Sequence, residues 1–144
     1  MTERSQNINN FYINGNTAFH LEITKNYGNN VGSSDKDIWC DLILDIKNEY
    51  FTYNLNTEGI TLKETKEIRD LLKRYLDKKI TEEESYETLE PYIIISIEKV
   101  HDKWYLNLRL NLILDGSFSG DYYNIGLNDD KDIENLYKAF EPIN

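Results

Sequence analysis

The chain of 144 residues has one cysteine, one methionine, two prolines and two histidines. A single thiol, Cys40, excludes an internal disulfide. His20 and His101 are far apart in sequence, and with one cysteine they lack the clustered spacing that zinc sites use. No metal or cofactor is therefore expected. The glycines at 28 and 32 have neither the lysine nor the spacing of a phosphate-binding loop. Gly116-Ser117-Phe118-Ser119-Gly120 has the outline of a nucleophile elbow, but its centre is Phe118 rather than serine. Long apolar runs are missing too. The longest near-continuous one, residues 92–97, is far too short to span a bilayer. The opening residues, Met1-Thr2-Glu3-Arg4-Ser5-Gln6-Asn7, lack the apolar centre of a signal peptide. These absences point to a cytoplasmic protein with no membrane partner, and no catalytic residue is assigned.

Basic residues are outnumbered 16 to 26 by acidic ones, for a net charge of −10. A phosphate backbone needs Lys and Arg to neutralise it, so direct nucleic-acid binding is not expected. A basic protein partner fits better, because a negative field speeds its approach. Solubility alone is the plainer account of a charge count. Clustering narrows the margin between these readings. Residues 77–90 carry six acids against two lysines, and residues 115–141 carry seven against two, so these segments hold −4 and −5 of the total.

Hydrophobic residues make up 40% of the chain, enough for a core in one domain of this length. Residues 1–144 read as a single domain with a polar, flexible stretch at 1–10, and no internal repeat or linker is visible. Asn14-Gly15 marks a hairpin between Phe11-Tyr12-Ile13 and the segment 18–23. A turn-rich loop follows at 27–34. Ile38, Cys40, Leu42, Leu44 and Ile46 then share one strand face, with Trp39, Asp41, Ile43 and Asp45 opposite. A further strand carries Phe51, Tyr53 and Leu55.

Helical spacing of Ile68, Leu71, Leu72, Tyr75 and Leu76 predicts a helix over about 62–77, opened by a Thr61/Glu64 capping box. A weaker box at Thr81/Glu84 predicts a short helix running to Leu89. Residues 92–100 read as a central strand with both faces apolar. Residues 104–114 alternate cleanly, Asp115-Gly116 is a second hairpin turn, and 118–127 is the last strand. A helix over about 130–141, capped by Asn128 or Asp129, presents Ile133, Leu136, Tyr137 and Phe140. The expected fold class is α+β: a single antiparallel sheet of about six to seven strands, with two amphipathic helices packed on one face.

The remaining chemistry is that of interaction. Eleven tyrosines and two tryptophans are present, and tyrosine offers a large amphipathic contact area at low entropic cost. The proposed partner-binding residues are Glu82, Glu83, Glu84 and Glu87 on the short helix, and Asp121, Tyr122 and Tyr123 on the last strand. Trp39 and Asp41 are weaker candidates on an exposed sheet face. The bland alternatives are aromatics that only fill strands, with Trp39 and Tyr105 packing on each other, and Asp121 as a bulge residue after Gly120. Cys40, in phase with the strand's apolar face, reads as a buried structural thiol.

The segments Trp39-Cys40-Asp41-Leu42 and Ser119-Gly120-Asp121-Tyr122-Tyr123, with a strand-rich start and a helix between them, resemble the WapI-like immunity proteins of bacteria. The resemblance runs from about Ala18 to Phe140 in order of elements, through short motifs. It implies a small cytoplasmic antidote that binds and blocks the C-terminal domain of a secreted or surface-borne toxin, often a nuclease. It implies no catalytic residues. The alternatives are an acidic adaptor or secretion chaperone, and a small enzyme without a recognisable motif.

Overall fold

The computed structural model describes residues 9–25, 34–114 and 117–143, with side chains except at 113, 114 and 117–120. The loop expected at 27–34 (all but Ser34) and the Asp115-Gly116 turn lie outside these residues, as do residues 1–8. Strand β1 (Asn9–Ile13) pairs with β2 (Thr17–Lys25). Asn9 and Asn10, expected in the polar N-terminus, already belong to that ladder. Asn14 and Gly15 sit in the turn with φ of 58° and 77°, left-handed values that Asn and Gly tolerate best. A 3-10 turn at Asp35–Asp37 leads into β3 (Trp39–Lys47), which pairs with β2 and with β4 (Thr52–Thr61).

Strand β4 runs directly into helix α1 (Leu62–Leu76), and the predicted capping box is formed in full. The Glu64 backbone N–H donates to Thr61 Oγ1 at 3.2 Å, and the Thr61 N–H donates to Glu64 Oε1 at 2.9 Å. The second Glu64 oxygen accepts the Leu89 N–H, which ties the helix start to a distant loop. Strands β5 (Glu84–Glu87), β6 (Ile93–Val100), β7 (Lys103–Leu114) and β8 (Ser117–Leu127) follow, then helix α2 (Asp130–Ala139), capped by Asp129.

Two expectations are corrected. The short helix is the edge strand β5. Glu84 and Tyr86 point to α1 while Ser85 and Glu87 point outward, a two-residue period that a helix cannot give. Arg74 holds the Glu84 carboxylate that the supposed capping box would have used. The single sheet of six to seven strands is instead two antiparallel sheets of four strands, ordered β1-β2-β3-β4 and β5-β6-β7-β8. Alternation in sequence shows that strands exist, but not which ladder each joins. Here α1 interrupts the run, and β5 pairs with β6 rather than β4.

Each half of the chain is thus a four-stranded meander followed by a helix, a repeat of element order that the sequence did not display. The inner faces of both sheets and the apolar stripes of both helices share one buried cluster, from Leu21, Leu42 and Leu44 to Ile95, Leu108, Ile68 and Ile133. An aromatic seam joins the sheets. Phe51 stacks on Tyr123 with centroids 3.9 Å apart, and Tyr53 donates to the Asn111 carbonyl at 3.2 Å. At the other end of β4, the register slips by one residue opposite Cys40 and Asp41. The extra residue is Gly59, where a Cβ would lie 2.8 Å from the Tyr92 ring. Only glycine lets that ring close over the bulge.

Candidate functional site

The fold redistributes the acidity. In the segment 77–90, Glu84 forms a two-pronged pair with Arg74 at 2.8 and 2.9 Å. These bonds hold its carboxyl below the usual range and raise the arginine. Glu83 accepts the Lys99 N–H at 3.0 Å, and Asp77 pairs with Lys73. Glu82 and Glu87 are exposed. In the segment 115–141, Asp129 caps α2, Asp130 pairs with Lys78, and buried Asp132 accepts the Asn14 N–H. Much of the sequence-level clustering is therefore spent on helix caps and internal ties. The two segments do meet, through the Lys78–Asp130 pair at 3.3 Å.

The last-strand candidates part company. Tyr123 faces inward, stacked in the seam, with its hydroxyl accepting from Asn48 Nδ2 at 3.1 Å. Tyr122 lies half buried on the outer face, with the Arg109 guanidinium 4.9 Å from its ring centroid. Asp121 is exposed in a break of register, between the Asn111–Tyr122 and Ile113–Phe118 pairs. That is the irregularity anticipated after Gly120. Trp39 and Tyr105 belong to different sheets, with Thr61 and Glu98 as their respective cross-strand partners, so they do not pack as a pair across strands.

Trp39 and Asp41, the weaker pair in sequence, lie on the most distinctive surface. The inner face of the first sheet carries Phe19, Leu21, Ile23, Cys40, Leu42, Leu44 and Ile46. By the two-residue period its outer face carries Glu22, Asp41, Ile43, Asp45, Asn54, Asn56 and Glu58, all exposed or half buried. Four carboxylates (Glu22, Asp41, Asp45 and Glu58) stand there against one lysine, Lys47. Asp41 lies directly across the ladder from Glu58. Like charges so placed destabilise a sheet. Partial order comes from Asn54, which donates to Asp45 at 2.8 Å, and from His20, which bridges Asn10 and Glu22 at 2.7 Å each. Trp39 lies half buried at one end of this face, and Ile43 half buried at its middle.

Glu22 and Glu58 were not picked out from sequence. Asp41 and Asp45 show as acids alternating with apolar residues within one strand. Glu58 joins them only through the register of β4, which the Gly59 bulge shifts. Cys40, on the opposite face, is fully buried. Burial pushes its thiol up to about 11, which suits a structural role. Among the described residues, no group of three His, Cys, Asp or Glu side chains converges to hold a metal, and no helix is long and apolar enough to cross a membrane.

The fold and this surface define an α+β protein of two antiparallel meanders sharing one core, with an acidic sheet face that is exposed or half buried among the described residues. Comparison with protein families, characterised proteins and solved structures finds no match.

Proposed function

We propose that the protein is an immunity-type antidote that binds a basic bacterial toxin domain, a nuclease by the resemblance, and occludes it without catalysis. The observation that carries this reading is the outer face of the first sheet. Among the described residues this face holds four exposed or half-buried carboxylates around Trp39 and Ile43, and includes a like-charge pair, Asp41 and Glu58, placed where repulsion opposes the ladder. Carboxylates so placed can each accept from Arg or Lys of a partner, and the half-buried indole supplies the apolar contact that anchors interfaces. A nuclease cleft, built to attract a phosphate backbone, is the complementary surface. Glu82, Glu83 and Glu87 on the second sheet's side add to the long-range field that speeds approach. On this reading the antidote acts in the cytoplasm of the cell that makes it.

The test is co-expression with the toxin domain encoded beside its gene. Growth should be rescued by the native chain and lost with the double variant Asp41→Lys/Glu58→Lys. Equal killing with and without the native protein would sink the reading for that pair.

A further inference from the structure

A second surface has the opposite character. Between the C-terminal end of α1 and the β6–β7 hairpin lies a cavity of about 470 Å³, lined by Tyr75, Lys78, Ile80, Lys103 and Trp104. Its volume lies in the range of small-molecule sites. Trp104 follows the phase of Leu106, Leu108 and Leu110, so its indole faces inward. It sits at the start of β7, where the core opens, and stays half buried. Tyr75, which lines the cavity with Trp104, donates its hydroxyl to the Trp104 backbone carbonyl at 3.1 Å, which ties α1 to the start of β7. Ile80 is buried and lines the same cavity.

On a chain of net charge −10 the lining carries two lysines, Lys78 and Lys103, with Lys99 beside it, while Asp130 on Lys78 and Glu83 on the Lys99 backbone N–H flank the same rim. Lys99 Nζ stands 5.5 Å from the Trp104 ring centroid. Among the described residues, neither Lys99 nor Lys103 has a carboxylate within ion-pair distance, whereas Lys78 is held by Asp130 at 3.3 Å. Lys78 is also in an unusual place. The Lys79 N–H donates to the Arg74 carbonyl and the Lys78 N–H to that of Tyr75. This is a Schellman motif, whose left-handed position glycine normally fills. Here Lys78 takes it with φ of 60°, so backbone strain is accepted where a lysine reaches the cavity.

We propose that this cavity binds a small aromatic carboxylate, with its ring against Trp104 and Tyr75 and its carboxylate at Lys103 and Lys99. Apolar walls disfavour a fully hydrated anion such as phosphate, and the ammonium groups at the rim disfavour a cation. The two requirements together select a ligand with one apolar body and one negative end. The site is on the second sheet and is independent of the acidic face of the first.

The test uses anilinonaphthalene sulfonate, whose emission rises on entering an apolar site, and its displacement by phenylpropionate or by the neutral phenylpropanamide. Saturable binding is expected, with the carboxylate displacing the probe at least about tenfold more effectively than the amide, as one charge-assisted contact predicts. Lys99→Glu/Lys103→Glu should weaken probe binding by about tenfold or more, and Trp39→Phe should leave it unchanged. Both lysines are surface residues, so circular dichroism should show an unaltered fold. Non-saturable binding, equal displacement by acid and amide, or native affinity in the double lysine variant would each overturn the proposal.

Discussion

The two meanders share a strand count, an antiparallel order and a following helix, yet their outer faces differ. The first sheet shows solvent four carboxylates and one lysine, with Asp41 opposite Glu58. The second shows Glu87, Glu98, Lys103 and Arg109, the last with its guanidinium over the Tyr122 ring, and it buries Ile94 and Ser96 even on the side away from the core. Both sheets meet the demand for a core in the same way. Where the fold makes no demand, on the outer faces, the sequences diverge, and the face that carries an unfavourable charge pairing is the better place to look for function.

The largest expected effect bears on what the halves have in common. Leu42→Ala in the first sheet and Leu108→Ala in the second should each cost about 2–5 kcal/mol, because both side chains are buried in one cluster. Trp39 and Trp104 report on different sheets, so single-tryptophan variants can follow each half in urea. Coincident transitions are expected, and separate midpoints would show that the halves fold independently. Next, Gly59→Ala should cost about 1–3 kcal/mol by driving a methyl into the Tyr92 ring, as overpacking does. Thermal melts would measure it, and a neutral result would show that the bulge can shift.

A smaller effect has the opposite sign. Asp41→Asn should stabilise the fold by about 0.2–1 kcal/mol by relieving repulsion from Glu58, whereas Glu98→Asn on the second sheet should not. A loss of stability in Asp41→Asn would show that this carboxylate serves the fold. The smallest effect is in acid. Hydrogen bonds from Arg74 hold the folded-state pKa of Glu84 below its ordinary 4.5. The pair's contribution is therefore complete above that value and is lost as pH falls through the lower folded value. Denaturant midpoints of Glu84→Gln should fall less steeply with pH below 4.5 than those of the native chain, and parallel curves would remove the pair from the account.

Much of the fold is legible in the residues. The Thr61/Glu64 box, the Asn14-Gly15 turn, the clean alternation around Leu106, Leu108 and Leu110, and the stripes of both helices all specify local structure by period and cap. Sheet membership is not local, and neither is the fate of a charge. Glu84 has the spacing of a capping residue from Thr81, but Arg74, ten positions earlier, binds its carboxylate. Tyr123 reads in sequence as a strand aromatic and a candidate contact, and the stacking of Phe51 on its ring comes from the other sheet's side of the chain. Asp41 was visible as an exposed strand residue, and only the register of β4 brought Glu58 opposite it. The candidate site was thus half legible: its β3 members from alternation, its cross-strand members only from pairing.

The central claim is that the outer face of the first sheet, rather than acidity in general, meets the partner. The association rate with the toxin domain, followed by biolayer interferometry across a salt series, compares Asp41→Lys/Glu58→Lys with Glu87→Lys/Glu98→Lys, an equal change of charge on the other sheet. The account predicts that the first pair slows association by at least about tenfold at low salt and the second by less than about threefold, as position within a steering field requires. Equal slowing by the two pairs would reduce the effect to net charge and contradict the assignment of the site.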